Sequence, residues 1–350
     1  MRVAVIGATG NLGTSVIQAL ADDPDVDEVV GIARRRPELT WAKTTWATAD
    51  ISRDDLSPHL RKVDAVVLLA WLIQPARDLT TARATNVEGS ARVLRAVAEA
   101  KVKTLAYASS VGAYSPGPKD RAVDESWPTE GIPTSFYSRH KAEVESILDR
   151  FEQDSPKVRV ARIRPGLVFK RAAASGIRRL FAGPLLPSPL VRPSLIPLIP
   201  DVPGLRFQAV HSYDVGEVFR LAVKAKAKGA FNVAADPVLD PQEIARTLGA
   251  RTVPIPASIL RAGAAASWKL RLQPTPPGWL YLALGVPIMD ITRAREELGW
   301  QPRFTSARAL LDLLGGMRDS AGLQTPPLRP DAGGPMRMRE FATGVGRTSR

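Results

Sequence analysis

A tyrosine and a lysine four residues apart are the residues of this chain that could transfer a proton. At this spacing Tyr137 and Lys141 share one face of a helix, and apolar residues continue the helical pattern at Val144, Ile147, Leu148 and Phe151. A free phenol has a pKa of about 10 and is a poor acid or base near neutral pH. Because a neighbouring cation favours the phenolate, the pair predicts a tyrosine whose pKa is lowered toward the working range. Tyr-x-x-x-Lys also occurs by chance on many helices, so its meaning depends on the residues upstream.

A glycine-rich segment near the N-terminus predicts a dinucleotide site. Residues Arg2 to Ile6 are typical of a buried strand, and three glycines with the spacing G-x-x-G-x-x-G follow before an apolar helical pattern. Gly7 permits the tight turn, Gly10 lets backbone amides approach a pyrophosphate, and Gly13 lets the helix pack on the sheet. The helix N-terminus then faces the phosphates. The alternative is a glycine-rich turn in an unrelated α/β protein, but the strand–loop–helix context favours the dinucleotide site.

The end of the second predicted strand, Glu28 to Ala33, indicates which dinucleotide binds. About 20 residues after the glycines, an acid would bind the ribose 2′-hydroxyl, whereas an arginine would accommodate a 2′-phosphate. The chain has Arg34, Arg35 and Arg36 there, and no acid. Since guanidinium groups bind phosphate in bidentate fashion, this run favours NADP over NAD. The competing interpretation is a solvated basic turn in an arginine-rich protein.

A second cofactor contact is expected after the third predicted strand, Thr44 to Thr48. Asp50, which Ile51 follows, could accept a hydrogen bond from the adenine amino group. The same carboxylate could instead cap a helix that begins near Arg53. The sequence leaves both interpretations open.

Two polar residues upstream of the tyrosine are candidate partners of the proton relay. Ser110 comes directly after the fifth predicted strand, Lys103 to Ser109. Because the carboxyl ends of the strands border the ligand crevice, Ser110 could bind a substrate oxygen near the nicotinamide; otherwise it is a serine in a turn. Asn86 lies inside a long helix predicted for Arg77 to Ala100, where it could brace the active site through water or be an ordinary residue of the helix surface.

The order of the elements predicts an α/β protein with a Rossmann-type, doubly wound parallel sheet, because strands and helices alternate through the first half. Seven prolines between Gly183 and Gly204 exclude a helix or a central strand there and favour an apolar lid over the substrate cleft. Further predicted strands are Asp64 to Ala70 and Lys157 to Ile163. Further helical segments are predicted within Ile255 to Leu284, at Asp290 to Leu298 with Asp290 or Thr292 as N-cap, and at Ser306 to Met317.

These elements suggest how the chain divides. Residues 1–165 are expected to form the dinucleotide-binding Rossmann domain, and residues 208–235 to return to it. Residues 166–207 and 236–317 would form the smaller C-terminal substrate lobe and its lid. Residues 318–350 are rich in Gly, Pro, Arg and Ser, which predicts a disordered basic tail.

The composition excludes several classes of function. The chain has 350 residues, of which 45% are hydrophobic and 24% charged, as in an ordinary globular protein. The absence of cysteine excludes disulfides and thiolate metal sites, and the separation of His59, His140 and His211 argues against a metal site. Met1 leads directly into the first strand and no apolar run reaches spanning length, so a cytoplasmic protein without a membrane span is expected. The formal net charge of +13 is spread over the chain and aromatic residues make up 6%, so nucleic-acid binding is not expected.

Taken together and in this order, the motifs resemble the extended short-chain dehydrogenases/reductases, the group that includes the NAD-dependent epimerase/dehydratase proteins. The resemblance covers roughly residues 1–317. The segments that carry it are Gly7-x-x-Gly10-x-x-Gly13, Asp50-Ile51, Asn86-Val87-x-Gly89, Ser109-Ser110, Tyr137-x-x-x-Lys141, Arg164-Pro165-Gly166, Val210 to Val215 and Glu297 to Pro302.

The resemblance implies an NAD(P)-dependent oxidoreductase acting at an alcohol or ketone carbon. Tyr137 would be the acid/base, and Lys141 would lower its pKa and hold the nicotinamide ribose. Ser110 would polarise the substrate oxygen, and Asn86 would complete the catalytic set. A homodimer is the family expectation. The expected cofactor contacts are Gly7, Thr9, Gly10, Asn11, Leu12, Gly13, Arg34, Arg35, Asp50, Ile51, Leu69, Ala70, Tyr137, Lys141 and Pro165.

The chain departs from the family at positions that bear on the substrate. Sugar-nucleotide members commonly carry an arginine four residues before the histidine of the motif after the lid, where this chain has Phe207, with Arg206 one position away. They also carry an asparagine near the sixth strand, where this chain has Arg164-Pro165-Gly166. With the apolar lid, these differences favour a smaller or more hydrophobic alcohol or ketone. A nucleotide-sugar 4-epimerase or dehydratase is the alternative. An NADP-sensing regulator is a third, and it would not need the Tyr137–Lys141 pair.

Overall fold

A parallel sheet of seven strands forms the centre of the part of the protein that the structure describes. The structure is a computed structural model, and it describes residues 1–73, 78–181, 196–225, 227–270 and 275–330. In chain order the strands are β1 (Arg2–Ile6), β2 (Glu28–Ala33), β3 (Thr44–Thr48), β4 (Ala65–Leu68), β5 (Thr104–Ala108), β6 (Ala122–Val123), β7 (Arg159–Pro165), β8 (Leu167–Phe169), β9 (Leu198–Asp201), β10 (Ala209–His211), β11 (Gly229–Val233), β12 (Arg251–Pro254) and β13 (Ile288–Met289).

The strand order places the ligand crevice beside β1. The central sheet runs β3-β2-β1-β4-β5-β7-β11, so β1 pairs with β2 on one side and with β4 on the other. Ligands of such sheets bind where the strand order reverses, outside the carboxyl ends of the strands. The doubly wound sheet predicted from the sequence is thereby confirmed, with strand ends that differ by one or two residues.

Helices cover both faces of the sheet. The predicted helix Arg77 to Ala100 is observed as two helices joined by a π-helical segment, Ala84–Gly89, and Arg77 itself lies outside the described residues. The helices are α1 (Asn11–Ala21), α2 (Thr80–Arg83), α3 (Ser90–Glu99), α4 (Phe136–Asp154), α5 (Ala174–Phe181), α6 (Ser212–Lys224), α7 (Pro241–Leu248), α8 (Ala257–Lys269), α9 (Gly278–Gly285), α10 (Thr292–Leu298) and α11 (Ser306–Arg318).

The core has one layer on each face of the sheet. On one face α1 packs against α6 through residues such as Ile17 and Phe219. A Cβ at Gly216 would lie 2.6 Å from the Ser15 carbonyl oxygen, so glycine is needed for the two helix backbones to approach this closely. On the other face α3 and α4 bury residues such as Val97 and Leu148. Strands buried on both faces are typical of parallel sheets.

A separate cluster of buried apolar residues lies outside the central sheet. It contains Phe169, Leu239 and Leu313. The proline-rich lid predicted for 183–204 lies largely outside the described residues. Its described part contains β9, which pairs with β12 in a two-stranded ribbon and is therefore not a central strand, as predicted. The division of the chain into lobes stays a proposal, which the placement of α6 and β11 against the sheet supports.

Three local predictions need correction. Residues near Arg53 form turns and no helix begins there. At α10 the Asp290 carboxylate does accept a hydrogen bond, from the Thr292 amide at 2.7 Å, but the N-cap position is Ile291. The tail is packed over 319–330, because Leu328 is buried and its carbonyl accepts from the Leu323 amide at 3.0 Å; residues 331–350 lie outside the described part.

In the described ranges no helix combines the length and the apolar character that crossing a bilayer requires.

Candidate active site

The first two turns of α4 carry the tyrosine and the lysine. Ser135 is the N-cap, and its side-chain oxygen accepts from the Ser138 amide at 3.4 Å. Further along the helix Val144 and Leu148 are fully buried against the sheet, which fixes the direction of α4. Tyr137 is partly buried, whereas the Lys141 side chain is only 3% exposed.

Ser110 lies beside the phenol. It follows β5 and caps the 3₁₀ turn Val111–Ala113, since its hydroxyl oxygen accepts from the Gly112 amide at 3.0 Å. The Ser110 hydroxyl also makes a hydrogen bond with Tyr137 that favours the phenolate. A Cβ at Gly112 would lie 2.8 Å from Tyr137 Cε1, so the ring can occupy this place only next to a glycine. No sequence pattern indicated this second role for Gly112.

Burial, rather than Lys141, dominates the acidity of the phenol. Burial raises the pKa of Tyr137 to about 12, and the Ser110 hydrogen bond acts in the opposite direction. The predicted lowering of this pKa by Lys141 is wrong for the structure described here. The reason is geometric: Lys141 Nζ donates to the Ala108 carbonyl at 2.6 Å and lies 3.4 Å from Tyr107 Oη, so the ammonium is directed at β5 and not at the phenol oxygen.

Two tryptophans enclose the pair. Lys141 Nζ lies 3.5 Å from the ring centroid of Trp71, a cation–π contact that offsets part of the desolvation of the ammonium. Burial nevertheless lowers the pKa of Lys141 well below its usual value. Trp71 meets Tyr137 edge-on, with centroids 6.1 Å apart, and Trp279 of α9 lies 5.2 Å from Tyr137 on a tilted plane. The phenol is thus held in an aromatic, apolar environment that sequence reasoning missed.

Asn86 acts on the backbone that carries Trp71. It is fully buried in the π-helical segment, where its Oδ1 accepts from the Leu72 amide at 2.7 Å and its Nδ2 donates to the Leu72 carbonyl at 2.9 Å. Asn86 therefore positions the segment after β4, and none of the hydrogen bonds among the described residues joins its side chain to Ser110 or Tyr137. The water-mediated contact expected from the sequence stays a prediction. π-Helical turns are often found at functional sites.

A buried carboxylate lies one helical turn after Lys141. Glu145 is 1% exposed and contacts Arg164 Nε at 2.9 Å, Arg162 Nη1 at 3.0 Å and the Ser109 hydroxyl. Burial alone would raise the pKa of Glu145, but the hydrogen bonds and charge of Arg164, together with Ser109 and Arg162, hold it at about 2. The sequence contains an indication of this group, since Arg162 and Arg164 are two residues apart in β7 and therefore lie on the same face of the strand.

The glycine loop is close-packed on one side and open on the other. Gly7 has a φ of +89°, and a Cβ there would lie 2.6 Å from the Ala70 amide nitrogen and 2.9 Å from the Leu69 carbonyl carbon. A Cβ at Gly13 would collide with the Gly7 carbonyl oxygen. At Gly10, however, a Cβ would meet only that oxygen, at 3.4 Å. The open side therefore lies at Gly10, the N-cap of α1.

The start of α1 fits a phosphate group. Gly10 provides no side-chain cap and the first turn of α1 contains no acid, so its amides keep their donor capacity. Asn11 Nδ2 donates to the Val168 carbonyl at 3.3 Å, while the buried Asn11 Oδ1 has no hydrogen-bond partner among the described residues. Thr9 is buried and Leu12 packs against the core.

The expected adenosine contacts lie at the ends of β2 and β3. Arg34 and Arg35 are exposed after β2. Burial by itself would raise the pKa of Asp50, but hydrogen bonds from Ser52 and the charge of Arg34 leave it below its usual value. The Asp50 carboxylate accepts from the Ser52 amide at 2.9 Å and so stabilises a turn rather than the helix considered above. Ile51 is buried below it, where a Cβ at Gly89 would lie 2.8 Å from Ile51 Cγ1.

The remaining motif segments lie at the end of β7, in the region around α6 and near residue 300. Pro165 ends β7 and is paired with Val233 of β11. The motif after the lid and the motif near residue 300 contact each other, since Trp300 Nε1 donates to the Asp214 carbonyl at 3.0 Å. The Phe207 side chain is partly buried against the cluster that contains Phe169, Leu239 and Leu313, and its backbone pairs with Leu239. The position at which the resemblance led us to look for an arginine is therefore occupied by a partly buried ring.

Comparisons with known proteins agree with this architecture. An uncharacterized protein of Mycobacterium tuberculosis is 29% identical over 330 residues, covering 92% of this chain and 31% of the relative, so the chain spans about a third of that relative's length. The sterol-4-alpha-carboxylate 3-dehydrogenase (decarboxylating) of Saccharomyces cerevisiae is 26% identical over 191 residues, 51% of this chain and 55% of that protein. The Thermus thermophilus UDP-glucose 4-epimerase, solved with NAD, has a similar fold, with a TM-score of 0.67, 20% identity, and coverage of 91% of this chain and 99% of that one. The model of the NAD dependent epimerase/dehydratase family matches residues 3–178, half of the chain. The chain belongs to the NAD dependent epimerase/dehydratase family.

Proposed function

We propose that the protein is an NAD(P)-dependent oxidoreductase that transfers a hydride at an alcohol or ketone carbon. The observation that carries this proposal is the convergence of Ser110, Tyr137 and Lys141 after β5, at the same edge of the sheet as the glycine loop. The open side at Gly10 and the uncapped first turn of α1 fit the pyrophosphate of a dinucleotide. When bound, the dinucleotide would supply or accept the hydride.

The chain's own residues would move the proton. Tyr137 is protonated at neutral pH because burial raises its pKa to about 12, so it is prepared to donate to a carbonyl oxygen. Ser110 lies next to the phenol and would hydrogen-bond the same oxygen. Reduction of a ketone would use the protonated phenol as the acid, and oxidation of an alcohol would use the phenolate as the base. Asn86 and Trp71 would hold the segment that covers Lys141.

The surroundings of the phenol favour an apolar substrate. Trp279, Ile132, Leu282 and Val286 form a buried cluster against which Tyr137 packs. The yeast relative, whose name describes a dehydrogenase acting on a sterol carboxylate, supports a hydrophobic substrate. The second candidate is a nucleotide-sugar 4-epimerase, which the description of the Thermus thermophilus protein supports. The partly buried ring of Phe207 weighs against it, because a phenyl ring provides no charge for a diphosphate.

An activity screen separates these candidates. The purified protein is incubated with apolar secondary alcohols and ketones, or with UDP-sugars, in the presence of NADP or NAD in either redox state. We expect net oxidation of the reduced cofactor by an apolar ketone, followed by its absorbance. Conversion of a UDP-sugar to its 4-epimer without net cofactor turnover would instead establish the epimerase. Cofactor binding without turnover of any substrate would favour the sensing regulator.

The arginines after β2 should set the choice of dinucleotide. We expect the wild-type protein to bind NADPH more tightly than NADH, and Arg34→Asp to weaken NADPH binding about tenfold or more, since a hydrogen bond to a charged group contributes roughly 1.5–3 kcal/mol. NADH binding should be unchanged or tighter, since an acid at this position can bind the ribose 2′-hydroxyl. Titration by fluorescence or calorimetry measures the dissociation constants for NADPH and NADH. Arg36→Asp, at a neighbouring exposed arginine, is the matched control. Tighter binding of NADH than of NADPH by the wild type would contradict the NADP assignment.

A further inference from the structure

Lys170 is a buried cation that the proposed mechanism does not use. It follows β8, and its side chain is 3% exposed. Lys170 Nζ donates to the Asn11 carbonyl at 3.1 Å, to Thr14 Oγ1 at 2.6 Å and to Ser15 Oγ at 3.0 Å. All three acceptors belong to the first turns of α1, directly after the glycine loop, and all three are neutral.

No carboxylate in the described ranges lies within ion-pair distance of this ammonium. The titratable groups that face it come from the end of β10, from α6 and from α11. His211 is hydrogen-bonded to Asp312 at 3.3 Å, Asp214 accepts from the Phe304 amide at 3.0 Å and pairs with Arg303, and the Tyr213 ring centroid lies 5.4 Å from Lys170 Nζ. α1 contributes no charged group to this contact. Burial lowers the pKa of Lys170 to about 8.

The position of this charge makes it unfavourable in the free protein. A buried ion held only by neutral acceptors is costly, because hydrogen bonds replace only part of its hydration. The N-terminus of α1 carries a partial positive charge as well, and its first turn contains no acid that could balance the two. The protein thus concentrates positive potential at the end of α1 where the glycine loop leaves its open side.

We infer that Lys170 is a cofactor-affinity residue, whose buried ammonium supplies the counter-charge for the pyrophosphate of the dinucleotide through the first turn of α1. The inference rests on the dinucleotide binding proposed above. An anion at the start of α1 would relieve the unbalanced charge that the free protein carries. Lys170 therefore contributes to affinity through its charge and not through contact with the reacting atoms.

The test replaces the charge with an apolar side chain of similar length, Lys170→Met. We expect the dissociation constant for NADPH to rise roughly tenfold, because removing one of two opposite unit charges about 10 Å apart in a partly screened site costs this much affinity. The dissociation constant for adenosine, which has no phosphate, should stay unchanged. The melting temperature of the free protein should be equal or higher, since a buried charge is removed. Lys170→Arg, which keeps the charge, should retain most of the affinity.

A second buried lysine provides the matched control. Lys119 donates to the carbonyls of Arg206 at 2.8 Å and Ala283 at 2.9 Å, and burial lowers its pKa to about 8 as well, but it lies away from the glycine loop. Lys119→Met should leave the affinity for NADPH unchanged. As the pH rises from about 7 to 9, the wild type should lose affinity because Lys170 deprotonates in the free protein, and Lys170→Met should not show this loss.

The outcomes separate this inference from the proposed function. If the wild type binds neither dinucleotide, the proposed function fails and the inference fails with it. If the wild type binds but folded Lys170→Met has an unchanged dissociation constant, the inference alone is overturned. An equal loss of affinity for adenosine and NADPH would also overturn it, because it would indicate a structural rather than an electrostatic role. If Lys170→Met does not fold, the pH dependence of wild type and Lys170→Arg decides.

Discussion

Tyr137→Phe is expected to lower kcat on a good substrate by about 10²–10⁴-fold, the usual contribution of a positioned acid or base. The variant removes only the hydroxyl that exchanges the proton, because the ring keeps its contacts with Trp71, Trp279 and Gly112. Dissociation constants for the dinucleotide should change little, since the glycine loop is untouched. Steady-state kinetics and a cofactor titration on the same preparation measure both quantities.

Tyr281→Phe is the control for this experiment. Tyr281 is an exposed tyrosine of α9 whose ring lies 5.3 Å from the Arg261 guanidinium, away from Ser110. Its loss of a hydroxyl should leave kcat unchanged. Undiminished turnover by Tyr137→Phe would show that another group transfers the proton, and the proposed mechanism would then be wrong.

The largest expected effect on stability comes from Glu145→Gln. This substitution leaves the buried Arg164 guanidinium without its carboxylate partner, whereas Arg162 keeps its ion pairs with Asp149 and Glu152. Breaking a buried ion pair on one side destabilises a protein by about 3–5 kcal/mol. Urea unfolding followed by circular dichroism measures the change. Glu143→Gln is the matched control on the same helix, since Glu143 pairs with Arg83 near the surface and such pairs contribute about 1 kcal/mol or less. Equal stability of the two variants would contradict the role assigned to Glu145.

The acid dependence of stability provides an independent measure of the same group. The pKa of Glu145 is about 2 in the folded protein and about 4.3 in an unfolded chain. A carboxyl with a lowered folded pKa contributes its stabilisation above the unfolded pKa, so this contribution is complete above about pH 4.3 and is lost as the pH falls toward 2. The wild type should lose stability over this pH window more steeply than Glu145→Gln. Melting temperatures of the two proteins measured across the window are sufficient for this comparison.

The sheet and the glycine loop could be predicted because residues close together in the sequence determine them. Apolar runs such as Arg2–Ile6 and Glu28–Ala33 correspond to the observed strands residue for residue. The three glycines lie between β1 and α1 because a tight turn and a close helix–sheet contact both require them at that spacing. The position of Ser110 at the edge of the sheet that carries the glycine loop also followed from strand order, since the carboxyl ends of parallel strands share one edge.

The chemistry of the relay could not be predicted in the same way, because it depends on contacts between distant segments. Nothing local to Trp71 indicates that its ring will cover Lys141, and the direction of the Lys141 ammonium is set by the Ala108 carbonyl on another element. The pKa of Tyr137 is governed by burial, which no spacing reveals. The packing of Leu328 was missed for the same reason, since a tail of polar composition can still be ordered by a single apolar anchor.

The pairing of α1 with α6 has a consequence for how the chain must fold. The Ser15 hydroxyl meets the Ser212 hydroxyl at 2.8 Å across 197 positions of sequence, so during synthesis the first helix emerges long before its partner. Until residues 212–224 are synthesised, the part of α1 that packs against α6 is without that partner, and exposed apolar surface favours aggregation and chaperone binding. The segment that the family model matches, 3–178, therefore lacks α6, one of the helices of its own core, and the unit that folds is longer than the segment that the family model matches.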